Sequence, residues 1–400
     1  MPQAGIGHPP KHCKKKNGIG RMPRLLEESS HPFFFPHREI PLMPRSLSTP
    51  LTRKFGIDFP IVQGPMNGGS TPEMVAAVSN AGGIGALAAA NFDVQTMRTK
   101  VNAIRSLTTQ PFCVNLFVLE TPAPTPGEIR EALDRLQPIR AELGLPPAAA
   151  PERYCEEFRE QLDALIALKA PVASFTFGLL DAASIERLHA AGSLVIGTAT
   201  NVAEALAWQA NGADAICAQG AEAGGHRGTF IGHPDASMIG TLALVPQIVD
   251  AVALPVIAAG GIMDGRGIAA ALTLGAQAAQ LGTAFLMTAE SPIHAAWQEK
   301  IRLSTDTSTR TTRTFTGRPA RGILNDFMQR MGRYEQELPA YPVQHALTTE
   351  IRKAAGQANR PEFMSLWAGQ AAGMSRRRAE AIPAAELVRV LVAETQAALA

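Results

Sequence analysis

The sequence predicts an α/β chain closed into a (β/α)8 barrel, with a helical insertion after the third strand and a C-terminal helical cap. Three observations carry that expectation. Short apolar runs alternate with helical stretches eight times within roughly 240 residues, about the length of one closed barrel. The runs are continuously apolar, as in strands buried on both faces. Several of them end in glycine-rich turns, and in such barrels the loops after the strands form the working face.

The first strand is expected at 60–64, followed by 65–70 and a helix that starts at Thr71-Pro72-Glu73, where proline's missing N–H costs little. A second strand at 84–87 and a helix over 93–107 lead to the third strand at 112–118. Two helical stretches, 127–143 and 152–168, are separated by Pro146-Pro147 and form the insertion. The fourth to sixth strands fall at 173–178, 194–199 and 215–219, with helices at 181–191 and 202–211. A helix from about 239 precedes the seventh strand at 255–261, and a helix over 265–274 precedes the eighth at 278–286. The barrel is therefore assigned to 49–305 and the cap to 306–400.

Residues 1–48 differ in kind. They hold eight Lys/Arg against three Glu, with repeated proline and no periodicity, and are expected to be a disordered basic extension. A flexible tail or residues upstream of a later start at Met43 are favoured over a transit segment, and no secretory h-region is present. The remainder carries 29 basic and 32 acidic residues, which offers no basic excess for nucleic acid. No run approaches the roughly 18 apolar residues of a membrane span. The four cysteines form no C-x-x-C pair, so a reducing, cytoplasmic compartment is expected, without disulfides. No H-E-x-x-H occurs, and no metal site is expected.

Chemistry is expected in the stretch from Gly220 to Phe230, which follows the sixth strand. Gly224-Gly225 permits dihedrals closed to other residues and lets a ligand approach the main chain, and His226 stands directly behind the bend. Alone, this motif reads more readily as a surface loop with an incidental histidine. Its position after a barrel strand turns it toward the mouth. The seventh and eighth strand ends carry Gly260-Gly261 and Gln280-Leu281-Gly282-Thr283, where main-chain N–H groups and a hydroxyl could hold a phosphate. From spacing alone, close helix–strand packing explains those glycines equally well. Gly265-Arg266-Gly267-Ile268-Ala269-Ala270 fits a dinucleotide fingerprint, but an open sheet with a switch point would be needed. Asp264 is therefore taken as a helix cap and the glycines as helix-start geometry.

Four blocks, at 60–69, 218–228, 255–267 and 280–286, together resemble the class I nitronate monooxygenases, once called 2-nitropropane dioxygenases. The likeness runs from about 52 to 375 and includes 315–322 and Trp367-Ala368-Gly369-Gln370. It implies a TIM barrel with non-covalent FMN. By motif, Pro65, Met66 and Asn67 would line the isoalloxazine, Gln219 and Gly224 would flank it, and Gly261, Gln280, Leu281, Gly282 and Thr283 would hold the phosphate. Asn115 is a further, weaker flavin contact, and Thr316 stands where many members have serine. His226 takes the catalytic position, as a base toward a nitroalkane or a partner for a nitronate. The implied reaction passes one electron from a nitronate, such as propionate 3-nitronate, to FMN, and dioxygen then gives a carbonyl compound and nitrite. The expected partners are the nitronate and dioxygen, with a homodimer left open. Gly-Gly-His and the barrel are shared with FMN-dependent enoyl-thioester reductases that use NAD(P)H, which stand as the alternative, beside a barrel that only binds a phosphorylated ligand.

Overall fold

The computed structural model describes residues 47–377 and 380–400, all within one compact unit. The basic extension expected over 1–48 lies outside the described residues except for Leu47 and Ser48. The strands, in chain order, are β1 (Ile61–Gln63), β2 (Gly85–Ala88), β3 (Phe112–Phe117), β4 (Val172–Thr176), β5 (Leu194–Ala199) and β6 (Ala215–Gln219). They continue as β7 (Gly225–His226), β8 (Val256–Ala259), β9 (Ala278–Leu281), β10 (Thr309–Thr312) and β11 (Ala320–Ile323).

Eight of these form one parallel sheet in the order β1-β9-β8-β6-β5-β4-β3-β2. A parallel bridge between Val62 and Ile84, with Gln63 N–H donating to Ile84 O at 2.8 Å, joins the two ends. The sheet is thus a (β/α)8 barrel, as the alternation predicts. Its interior packs Val62, Ile84, Cys113, Val172, Ile196, Cys217 and Ile257 against Leu51, Phe55 and Ile57. The last three come from and follow helix Pro50–Phe55, which plugs the N-terminal end of the barrel. Thr49 caps that helix and its hydroxyl also donates to Gln277 O at 2.8 Å. Burying Leu51 and Phe55 contributes about 1.5–3 kcal/mol each.

Several expected boundaries move. The eighth strand stops at Leu281, because Gly282 opens a single helical turn, Thr283–Leu286. The second insertion helix begins at Phe158, not near 152. Two differences matter for function. The region after 305 is not purely helical: β10 and β11 pair antiparallel, and β11 also pairs with β7 through Ala320–His226 and Arg321–Gly225. The final helix, Ala384–Leu399, is no part of a cap. It packs against Gly265–Thr273 and Pro72–Asn80, and its Ala384, Leu387, Val388 and Leu391 enter the core around the barrel strands. It is the eighth helix of the ring, so the cap is inserted between the eighth strand and its helix. Periodicity shows an amphipathic helix but not which partner its face meets. Gly265 serves that contact, since a Cβ there would lie 2.3 Å from Thr395 N. Asp264 caps its helix through Arg266 N and Gly267 N, as expected.

Candidate active site

At the C-terminal ends of the strands lies a cavity of about 240 Å³, covered by the segments that follow the eighth strand. Its wall includes Pro65, Met66, Asn67, Asn115, Gln219, Gly224, His226, Gly261, Gln280, Gly282 and Thr283. The structure thus brings together all but one of the site residues picked out from sequence. The exception is Leu281, which is fully buried in β9 and does not line the cavity; its carbonyl accepts the Gly64 N–H at 2.8 Å.

Each loop is held in place by side chains whose roles are local. After β1, Ser70 Oγ accepts from Met66 N at 3.0 Å and from Gln63 Nε2 at 3.1 Å, fixing the 64–70 turn. After β6, Gln219 Nε2 donates to His226 O at 3.0 Å and its Oε1 accepts Gly228 N at 2.8 Å. The Gln219 amide therefore clamps the histidine loop from below. Glu222 accepts Thr241 N at 2.8 Å and Thr241 Oγ1 at 2.9 Å, while its carbonyl accepts Gln370 N at 2.9 Å. Three arginines bind the loop to its surroundings. Arg227 donates to Gln219 O and Ser237 O; Arg318 donates to Arg227 O at 2.9 Å and to Thr229 O; Arg321 donates to Ala221 O at 2.9 Å. Main-chain carbonyls are poor sequence signals, so these arginines were not legible as loop anchors.

His226 sits on β7, tied to β11, and is half-buried as a residue. Thr316 Oγ1 donates to Arg318 O at 3.2 Å, so it accepts from His226 Nε2–H at 3.0 Å. That assignment leaves the acceptor lone pair on Nδ1. Phe177, Tyr341 and Trp367 surround the imidazole with ring centroids at 5.6, 5.4 and 5.5 Å. Burial, reinforced by the Arg318 and Arg352 guanidiniums, pushes its pKa from 6.5 down to about 3. The ring is neutral at physiological pH, where the sequence left it near half-titration. Phe177 holds φ at +80°, a region costly for a bulky residue at roughly 1–3 kcal/mol. The Arg318 guanidinium lies 3.9 Å above the Phe177 ring and Phe117 packs 4.2 Å from it, which fixes the strained residue in the wall.

Elsewhere the wall is main chain. Gly260 and Gly261 hold φ at +127° and +69°, and Gly225, next to His226, at +75°. A Cβ on Gly225 would meet nothing within 4 Å and one on Gly282 only Met66 Sδ at 3.8 Å, so both α-carbons border open space. A Cβ on Gly224 would lie 2.5 Å from Gly369 N, which requires glycine where the histidine loop meets the 368–369 segment. Thr283 Oγ1 accepts Gly369 N at 2.9 Å and keeps its own hydrogen to donate. Asn115 Nδ2 donates to Ser174 Oγ at 3.0 Å, and Thr176 and Thr198 continue a polar floor. Among the described residues no Asp or Glu lines the cavity, and Arg352 is the one Lys or Arg that does. Phe177, Tyr341 and Arg352 lacked any motif; only their approach in space identifies them.

Known proteins agree with this architecture. The nitronate monooxygenase family model matches residues 48–394. A probable nitronate monooxygenase of Staphylococcus aureus (strain JH9) is 44% identical over 321 residues, covering 80% of this chain and 90% of the relative. The solved structure of a nitroalkane oxidase from Streptomyces ansochromogenes superposes with a TM-score of 0.80 at 42% identity, covering 87% of this chain and 98% of that one. FabK from Thermotoga maritima superposes with a TM-score of 0.68 at 29% identity, covering 88% and 96%.

Proposed function

The chain belongs to the nitronate monooxygenase family, and we propose that it oxidises alkyl nitronates with dioxygen to a carbonyl compound and nitrite, using FMN. Membership makes it an oxidoreductase. The observation that carries the finer reading is the chamber around His226: a neutral imidazole faces a cavity with no carboxylate in its wall. A small anion bound there meets no like charge, whereas a cationic substrate would find no partner.

The donor set suits FMN. The cofactor's phosphate needs N–H and O–H donors, which Gly261, Gly282 and the Thr283 hydroxyl supply at the glycine end. A flat ring needs close main chain, which Pro65, Met66, Asn67 and Gly224 offer on the loops after β1 and β6. Gln219 contributes by fixing the histidine loop, as its amide is already engaged. FMN, when bound, would supply the one-electron redox chemistry that no side chain here can.

The protein's own part is binding, orientation and proton management. Thr316 holds His226 as the Nε2–H tautomer and presents Nδ1 as a proton acceptor. A base performs best with a pKa near the working pH, so an imidazole pushed down to about 3 is a weak base toward carbon. Preformed nitronates, which need no proton removed, are accordingly the better substrates and neutral nitroalkanes the poorer ones. Phe177, Tyr341 and Trp367 exclude water around the reacting carbon. The test is nitrite release and oxygen uptake on adding an alkyl nitronate to the flavin-loaded protein. Oxidation of NAD(P)H by an enoyl thioester, without a nitronate response, would replace this reading with the reductase one.

A further inference from the structure

A second cavity, of about 630 Å³, lies outside the chamber, lined by helix Pro126–Glu142, the segment 146–156 and the helices Val343–Leu347 and Thr349–Gln357. Its wall is largely apolar, with Leu133, Pro146, Ala148, Tyr154, Ala346 and Leu347. Among the described residues its charged side chains are paired with one another. Arg140 Nη1 lies 2.8 Å from Glu350, and Arg153 Nη2 lies 2.6 Å from Glu156. The Arg140 guanidinium is also fixed by Pro146 O, which accepts from Nε at 3.0 Å and from Nη2 at 2.8 Å. A charged ligand would find no free counter-ion there, whereas a hydrocarbon chain would exchange water for apolar walls.

The two cavities share one wall residue, His345. Its ring is 5.5 Å from Tyr341, whose own ring is 5.4 Å from His226. His345 Nδ1 lies 3.4 Å from Arg352 Nη2, in the chamber wall, and Nε2 lies 3.4 Å from Asn91 Nδ2, in the wall of the outer cavity. Both contacts are at the long limit of hydrogen bonding, so no short bond holds the imidazole across the join. We infer that the outer cavity is a subsite of the chamber, reached past His345, and that it takes the uncharged hydrocarbon tail of a long-chain nitronate whose reacting end lies at His226. This rests on the nitronate reading above. Beyond Leu133, Ala148 and Tyr154 the outer cavity adjoins a further one of about 430 Å³, so the path leaves room for a long chain. The insertion after β3 thus supplies a wall for the tail, while the barrel supplies the reacting end.

The test compares the 1-nitronates of propane and octane on the flavin-loaded protein and on two variants that fill the outer cavity from different walls, Ala346→Trp and Ala148→Trp. Each buried methylene tightens binding by up to about fourfold, so the wild type is expected to show a KM at least about tenfold lower for the octane substrate. Both variants should lose that advantage, with kcat and KM for the propane substrate changed by less than about threefold. A readout independent of turnover is the Cys155 thiol, half-buried in the wall of the same cavity. Nonanoate, but not butanoate, should slow its alkylation by iodoacetamide, followed by peptide mass spectrometry, and the difference should vanish in Ala346→Trp. Equal KM for the two nitronates in the wild type overturns the inference. So does equal loss on both substrates in both variants, or Cys155 alkylation that nonanoate leaves unchanged. If nonanoate protects Cys155 in the wild type and not in Ala346→Trp, yet neither nitronate yields nitrite, the nitronate reading falls and the cavity stands as a subsite for apolar chains.

Discussion

At the scale of residues, the chemistry rests on what surrounds one imidazole. His226 was legible from the sequence because Gly224-Gly225-His226 follows a barrel strand. Its protonation state was not, because the low pKa comes from burial and from Arg318 and Arg352, which lie far off in the chain. Two predictions follow from that difference. The kcat/KM profile for a preformed nitronate should be free of an ionisation near 6.5 between about pH 5 and 8; an inflection near 6.5 that disappears in His226→Asn would contradict the buried neutral ring. The folded pKa lies below the unfolded one, so the unfolded chain takes up the proton first on acidification. Stability should therefore fall as pH drops from about 6.5 toward 3, and His226→Asn should flatten that fall in denaturant titrations. The same variant should retain flavin and lose what neutral nitroalkane turnover the wild type has, with a much smaller loss on nitronates.

Among the elements, strand and helix order was readable because buried parallel strands are continuous apolar runs and turns are punctuated by glycine and proline. What escaped were the two-residue strand β7 and its partners β10 and β11, since pairs this short carry no period of their own. They matter because they couple the catalytic loop to the segment bearing Thr316 and Arg318. The role of Gly265 was equally hidden: its spacing mimics a nucleotide fingerprint, while its place is explained by the approach of helix Ala384–Leu399. Gly265→Ala would force a Cβ to within 2.3 Å of Thr395 N, against backbone that cannot rotate away. Overpacking of this kind costs about 1–3 kcal/mol, to be read as a lower melting temperature with flavin spectrum and activity retained. An unchanged melting temperature would show that the helices part without cost.

For the molecule as a whole, barrel and site form one construction. The cap is inserted between the eighth strand and the eighth helix, so the chain leaves the barrel to cover the cavity and returns to complete the ring. The sequence could not reveal this, because an amphipathic C-terminal helix looks the same whether it lies on a cap or beside a barrel helix. Deleting 384–400 should therefore lower soluble yield and cofactor retention instead of trimming an accessory segment; a truncated protein with full flavin content would argue against the closed ring. The central claim is that this ring presents to a nitronate a chamber lined by no carboxylate among the described residues. It is tested most directly by measuring nitrite and oxygen uptake when propionate 3-nitronate is added to the flavin-loaded protein without NAD(P)H. The account predicts nitronate-dependent oxygen uptake with nitrite release; no nitrite, together with NAD(P)H-driven reduction of an enoyl thioester, would contradict it.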